Sequence, residues 1–190
     1  MNTEQYGRSI IVLGAGGHAA VVIEIARGCG YEPVAIYDDN DSAIGRVIAG
    51  VAVRGRISDL PDDLVGHACI AIGNNQVRKK IAERLRALTW PILVHQNACV
   101  SPLAVTGPGT VVCAGAVVQP MARIGSFAII NVGACIDHDS SVGDFCHIAI
   151  HACLGTSSEI GEGVHVGIGA IVKAFSRVEP WSAIAPGNLV

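Results

Sequence analysis

From Ala98 to Gly187 the chain reads ACVSPL AVTGPG TVVCAG AVVQPM ARIGSF AIINVG ACIDHD SSVGDF CHIAIH ACLGTS SEIGEG VHVGIG AIVKAF SRVEPW SAIAPG, fifteen hexads without an insertion. The third position is Val, Ile or Leu in fourteen of them, Thr106 being the exception. The first position is Ala, Ser, Thr or Cys in fourteen, Val164 being the exception. A sandwich also alternates apolar and polar residues, but it does not hold a six-residue frame for 90 residues. The frame predicts a parallel β-solenoid in which each hexad supplies one short face and one corner. The aliphatic side chain points inward and the small residue sits where the chain bends. Three hexads make a triangular coil of eighteen residues, so fifteen make about five coils, stacked about 4.8 Å apart.

Residues eighteen apart then lie directly above one another. His147 and His165 share one face, while Phe127, Phe145 and Trp181 share a sixth-position column with Gly163 between the last two. Packing, against the preceding domain or between subunits, is the expectation for that column; a stacking surface for an aromatic ligand is the alternative.

The first half follows a different rule. Of the 29 charged side chains, 20 lie in residues 1–97 and 9 in residues 98–190. Ser9 to Leu13 reads as a buried parallel strand, His18 to Gly28 as a helix, Pro33 to Tyr37 as a second strand, His67 to Ile72 as a third, and Gln76 to Leu88 as a charged helix. This is a small Rossmann-like βαβ layer, too short for a full two-halved dinucleotide fold. The expected organisation is a mixed α/β domain over 1–95 and an all-β solenoid over 96–190.

Composition narrows the function. Hydrophobic residues reach 51 % with only 4 % aromatic, and charged residues 15 %, where about 25 % is typical. The apolar mass is small and β-branched, which argues against a helical bundle and against disorder. A net charge of −3 gives no electrostatic footprint for nucleic acid. No apolar run approaches the roughly 18 residues of a membrane span. Met1-Asn2-Thr3-Glu4-Gln5 lacks the basic start of a signal peptide, and seven cysteines lack framework spacing. The expectation is therefore a cytoplasmic protein with reduced thiols.

Four segments, in order around the hexads, carry a family resemblance: Leu13-Gly14-Ala15-Gly16-Gly17-His18; Tyr37-Asp38-Asp39; Ala71-Ile72-Gly73-Asn74-Asn75-Gln76-Val77-Arg78-Lys79-Lys80; and Asn131 through Ile136-Asp137-His138-Asp139 to Val142-Gly143-Asp144-Phe145-Cys146-His147-Ile148. The chain resembles the hexapeptide-repeat acyltransferases, more narrowly the bacterial nucleotide-sugar acetyltransferases of the bacillosamine and perosamine N-acetyltransferase and sialic-acid O-acetyltransferase type. The resemblance implies a left-handed solenoid, a homotrimer, acetyl-CoA in the groove between solenoids, and an N-terminal layer holding the nucleotide of an amino-sugar. It implies that His138 is the base, Asp139 its support, and His147 the contact to the acetyl thioester carbonyl. Asn131 stands near the acceptor amine and Ile168 lines the CoA groove. Gly16, Gly17, His18, Asp38, Asp39 and Gly73 hold the nucleotide-sugar.

The residues bear independent readings too. Acetyl transfer needs a base for the nucleophile and donors for the oxyanion, and a neutral imidazole between two carboxylates suits the first role. Gly14-Ala15-Gly16-Gly17-His18-Ala19 fits G-x-G-x-x-A after a strand, which alone invites a nicotinamide reading. The smaller physical content is a backbone turn that admits a phosphate at a helix N-terminus. His151 and His165 read as structural. The leading expectation is N-acetylation of a nucleotide-linked 4-amino-sugar with acetyl-CoA and no metal. Sugar O-acetylation is the nearest alternative. A zinc carbonic anhydrase built from His138, His147, His151 and His165 is a distant one, and a nonenzymatic scaffold or NAD sensor a third.

Overall fold

A computed structural model describes residues 8–190, so the Met1–Gln5 reading lies outside the described residues. β1 (Arg8–Leu13), α1 (Gly17–Gly28), β2 (Tyr31–Tyr37), β3 (Val47–Ile48), β4 (Val51–Gly55), β5 (Gly66–Ile70), α2 (Asn75–Arg84) and β6 (Leu88–Thr89) build the first layer. The sheet order is β3-β4-β2-β1-β5-β6, parallel except for β3 against β4. Ile10, Val12 and Leu13 of β1 are buried, as a central parallel strand requires.

Three details differ from the sequence expectation. β2 begins at Tyr31 and passes through Pro33, where the pairing with β1 slips by one residue. Pro lacks the ladder N–H, and a bulge at that point accommodates it. α2 stops at Arg84 rather than Leu88, because Leu85 is fully buried and Leu88 joins the sheet. The β3–β4 hairpin has no counterpart in the sequence reading; its strands are too short and mixed for periodicity to mark them.

The second half is a left-handed parallel β-helix, and its frame is the predicted one. Two-residue strands recur every six residues from Leu93–Val94 to Ala183–Ile184 in three parallel sheets. Face I holds Leu93–Val94, Val111–Val112, Ile129–Ile130, His147–Ile148, His165–Val166 and Ala183–Ile184. Face II runs from Cys99–Val100 through Cys135–Ile136 and Cys153–Leu154 to Ile171–Val172, and face III from Val105–Thr106 to Arg177–Val178. Each strand pairs in register with the one eighteen residues on, for example His147 with His165 and Cys135 with Cys153. First- and third-position side chains fill the interior: Ala116, Val118, Ala134, Ile136, Cys146, Ile148 and Val166 are buried in one cluster.

The sixth position is where each hexad turns. From Gly109 to Gly187 its φ is positive throughout, including the bulky residues Met121, Phe127, Phe145, Phe175 and Trp181. A left-handed conformation costs a non-glycine residue about 1–2 kcal/mol, and the hydrogen bonds of every rung to the next hold it there. The aromatic column packs against the first domain: Phe145 is buried with Leu13, Ile57, Ile81 and Leu85. Phe127 and Phe145 stack with ring centroids 5.2 Å apart, and Trp90 meets Phe127 edge-on. Gly163 is obligatory in this column, since its φ is +67° and an added Cβ would run into the Trp181 ring. All seven cysteines are free thiols. No helix of the described residues is long and apolar enough to cross a membrane.

Gly163→Ala is expected to cost about 2 kcal/mol or more from strain and overlap, a fall of roughly 4–8 °C in melting temperature. Adding Trp181→Ala should recover the overlap part of that loss, which differential scanning calorimetry of the single and double variants would read.

Candidate active site

The turn after β1 and the start of α1 form one wall of a cavity of about 650 Å³. Gly14 makes the turn with φ +112°, and its N–H donates to the Tyr37 carbonyl (2.8 Å). Gly16, Gly17, His18, Asp38, Asp39 and Gly73 all line the cavity, so the structure brings the six predicted residues together. Helix α1 starts at Gly17 with no side-chain cap, which leaves its first amides facing the space.

Asp38 lines the cavity and also has a structural task. Its Oδ2 accepts from Ala15 N–H (2.6 Å) and its Oδ1 from Asn40 N–H (2.8 Å), so it braces the glycine turn. Asp39 spends one oxygen on Ser58 N–H (2.8 Å). His18 Nε2 is buried without a hydrogen-bond partner, and burial followed by the Arg78 charge holds its pKa below the ordinary value. Sequence reasoning missed the opposite wall, where Ile57, Ser58, Val77, Lys80, Ile81 and Arg84 stand. Arg84 fixes that wall by donating to the Ile57 carbonyl (2.5 Å).

Arg78 is the larger omission. It is 1 % exposed, with no carboxylate partner among its hydrogen bonds. Its guanidinium donates to the carbonyls of Phe127 (2.9 Å), Phe145 (2.7 Å), Cys146 (3.1 Å), Ile72 (2.9 Å) and Gly73 (3.1 Å), and to Asn75 Oδ1 (2.9 Å). Asn75 Nδ2 in turn donates to the Gly163 and Val164 carbonyls (3.0 and 3.2 Å). Burial lowers the Arg78 pKa only to about 10, so the group stays charged. A signal existed: Asn75, Arg78, Ile81 and Ala82 form the buried stripe of α2, and a cation in such a stripe demands partners.

Burial, with that charge as a lesser cause, holds the imidazoles beyond it toward the neutral form. His147 and His165 meet edge-on with centroids 4.9 Å apart on face I. Burial, then His165, Arg78 and His18, pull the His147 pKa down to about 3. Burial and Arg78 lower that of His165 as well. His147 Nε2 lies 3.0 Å from Asn131 Nδ2.

His138 is placed otherwise. It follows Cys135–Ile136 of face II and precedes Ser141–Val142 of face III, so it stands on the edge of the prism opposite face I. Its Nδ1 donates to Asp139 Oδ2 at 2.7 Å, and Thr156, one rung above, donates its hydroxyl to the His138 carbonyl (3.2 Å). The Asp139 hydrogen bond chiefly, then the charges of Asp137 and Asp139, raise its pKa above the ordinary value. With the proton fixed on Nδ1, Nε2 keeps a lone pair on an exposed ring. His138 and Asp139 are thus together as predicted, but His147, Asn131 and the nucleotide cavity lie across the solenoid from them. Ile168 is 57 % exposed on the edge between faces I and II. Among the described residues, no group of three His, Cys, Asp or Glu side chains could hold a metal ion.

A β-helix of hexads with a glycine-turn domain docked on one face defines a hexapeptide-repeat acyltransferase. Residues 9–85 match the family model of the PglD N-terminal domain. The chain is 36 % identical over 118 residues to the UDP-N-acetylbacillosamine N-acetyltransferase of Bacillus subtilis, 56 % of this chain and 52 % of that relative. It spans 21 % of another curated relative, protein L142 of Acanthamoeba polyphaga mimivirus, with 33 % identity over 103 residues and 54 % of this chain. Thus it covers about half or less of these curated relatives' lengths. Solved structures match over nearly the full chain. The acetyltransferase domain of PglB from Neisseria gonorrhoeae has a TM-score of 0.88 at 33 % identity, covering 96 % of this chain and 91 % of that one. A histidine-to-alanine mutant of GDP-perosamine N-acetyltransferase from Caulobacter crescentus, in complex with CoA and GDP-perosamine, gives 0.88 at 32 %, covering 96 % and 88 %. The chain belongs to this family of nucleotide-sugar acetyltransferases.

Because three imidazoles are held neutral in the fold, the unfolded chain binds protons more readily below its own histidine pKa near 6.5. Stability is therefore present above that pH and should fall on acidification, by up to about 1.4 kcal/mol per pH unit for the buried His147 and by less for the solvent-screened His165. Urea midpoints at successively lower pH check this. Arg78→Met, which removes a donor from five carbonyls, should cost about 3 kcal/mol or more and make that acid dependence somewhat shallower, burial being the larger cause of it.

Proposed function

We propose that the protein is an acetyl-CoA-dependent N-acetyltransferase that acylates the amino group of a nucleotide-linked 4-amino-sugar. The observation that carries this reading is the 2.7 Å bond from His138 Nδ1 to Asp139, which leaves Nε2 as an outward-facing base. The glycine turn and open α1 terminus suit a diphosphate, and the apolar wall of Ile57, Val77 and Ile81 suits a nucleobase. Similarity to N-acetyltransferases of bacillosamine and perosamine, the latter solved with CoA and GDP-perosamine, favours an amine acceptor and a CoA donor.

In the proposed reaction the neutral amine attacks the thioester carbonyl while His138 Nε2 takes its proton. The C–N bond forms, the carbonyl electrons move to oxygen, and collapse of the adduct breaks the C–S bond. The imidazolium, steadied by Asp139, returns its proton to the leaving CoA thiolate. No metal enters these steps.

A second copy must complete such a site, because His138 and the cavity occupy opposite sides of one solenoid. The surfaces support a homotrimer. Face III points Arg123, Ser141, Glu159 and Arg177 outward, a charged surface for water. Face II points Cys99, Val117, Cys135, Cys153 and Ile171 outward, and exposed Val132, Ile150 and Ile168 continue it along the edge to face I. With three face II surfaces turned to a common axis, the His138 edge of each copy meets the Ile168 edge of the next. Acetyl-CoA would lie in that seam.

Light scattering should report about three times 19.6 kDa. Release of free CoA thiol against UDP-, GDP- and dTDP-linked amino-sugars, with hydroxyl analogues alongside, tests the reaction itself. His138→Ala is expected to lose 10²–10⁴-fold in kcat while nucleotide binding persists; unchanged turnover refutes the mechanism. The base works only when deprotonated, so the rate should fall as pH drops through its raised pKa. Asp139→Asn should move that acid limb to lower pH.

A further inference from the structure

Asn131 closes its rung on face I, just before the exposed corner residue Val132. Its side-chain orientation is fixed from the backbone: Val132 N–H donates to Asn131 Oδ1 at 2.8 Å. With the amide oxygen taken, the amide nitrogen is the atom facing His147 Nε2, 3.0 Å away. An amide nitrogen can only donate, so Nε2 must be the acceptor and the ring proton must sit on Nδ1. Arg78, His18 and His165 all face this ring and disfavour a second proton, and no carboxylate opposes them among its charge neighbours. His147 therefore has no free N–H at Nε2 to offer a ligand. Asn131 has one Nδ2–H left over, beside the edge where the next copy's His138 would arrive. Asn131 and His138 fall within one eighteen-residue coil, so in an assembly with its axis along the solenoid they stand at one height.

We propose that Asn131 supplies the hydrogen bond to the reacting thioester carbonyl, and that His147 is a positioning residue that holds the Asn131 amide in place. The Nδ2–H remaining on Asn131 stabilises the oxyanion as the amine adds, and it transfers no proton. The inference rests on the acetyl-transfer reading above and moves the carbonyl contact from His147, where resemblance puts it, to Asn131.

The test joins spectroscopy with kinetics on the full chain. Imidazole ¹⁵N spectra should show His147 as the neutral Nδ1–H tautomer at neutral pH, with and without CoA; an Nε2–H tautomer overturns the proposal even if no variant folds. Asn131→Asp, which cannot donate, should shift the His147 ring to an Nε2–H or doubly protonated form. Asn131→Ala should lower kcat about 10²-fold, the scale for loss of one oxyanion donor, with KM for the nucleotide-sugar little changed. Turnover by wild type together with an Asn131→Ala variant within threefold of it sinks this assignment alone. Absence of turnover by wild type, across the amino-sugar panel, sinks the acetyl-transfer reading and this assignment with it.

Discussion

A guanidinium shut away from water, answered by backbone carbonyls in place of a carboxylate, holds this molecule together. Arg78 takes three of its acceptors from the solenoid corner and two from the loop after β5, so a single side chain joins the domains. Carbonyl dipoles stabilise the cation without neutralising it. The uncancelled charge then acts on its neighbours. His18, His147 and His165 are all held toward the neutral form, Arg78 being a stated cause in each. Burial is the larger cause in each, and the cation that docks the domains adds to it.

Around that joint the architecture separates two kinds of histidine. On face I, burial and a nearby cation hold both imidazoles toward the neutral form, and His147 is also hydrogen-bonded to Asn131, which suits fixed orientation. On the opposite edge, His138 is exposed between two carboxylates and its basicity is raised, which suits proton removal. A triangular prism cannot bring these two places together in one chain. The outward column of face II, from Cys99 to Ile171, is apolar where that of face III is charged.

The left-handed corner conformation shows how the repeat tolerates chemistry. Asp139 occupies the same sixth position as Phe127, Phe145 and Trp181, with φ +60°. The rung ladder enforces that geometry whatever the side chain, so a corner can carry an aromatic, a glycine or a carboxylate hydrogen-bonded to the neighbouring imidazole.

The sequence by itself determined the solenoid, its frame, its interior, the aromatic column and the Asp139–His138 pair, because a six-residue period with in-register stacking converts position directly into space. It also marked the glycine turn and the acidic pair as one neighbourhood. Only the tertiary structure decided that Asp38 braces the turn, since its partners Ala15 and Asn40 are backbone amides with no sequence signature. The cavity's far wall, with Lys80 and Arg84, likewise depended on how α2 docks. The deepest such case is Arg78: periodicity can say that a helix face is buried, but not that three solenoid carbonyls will converge with three nearby oxygens to satisfy a charge placed there.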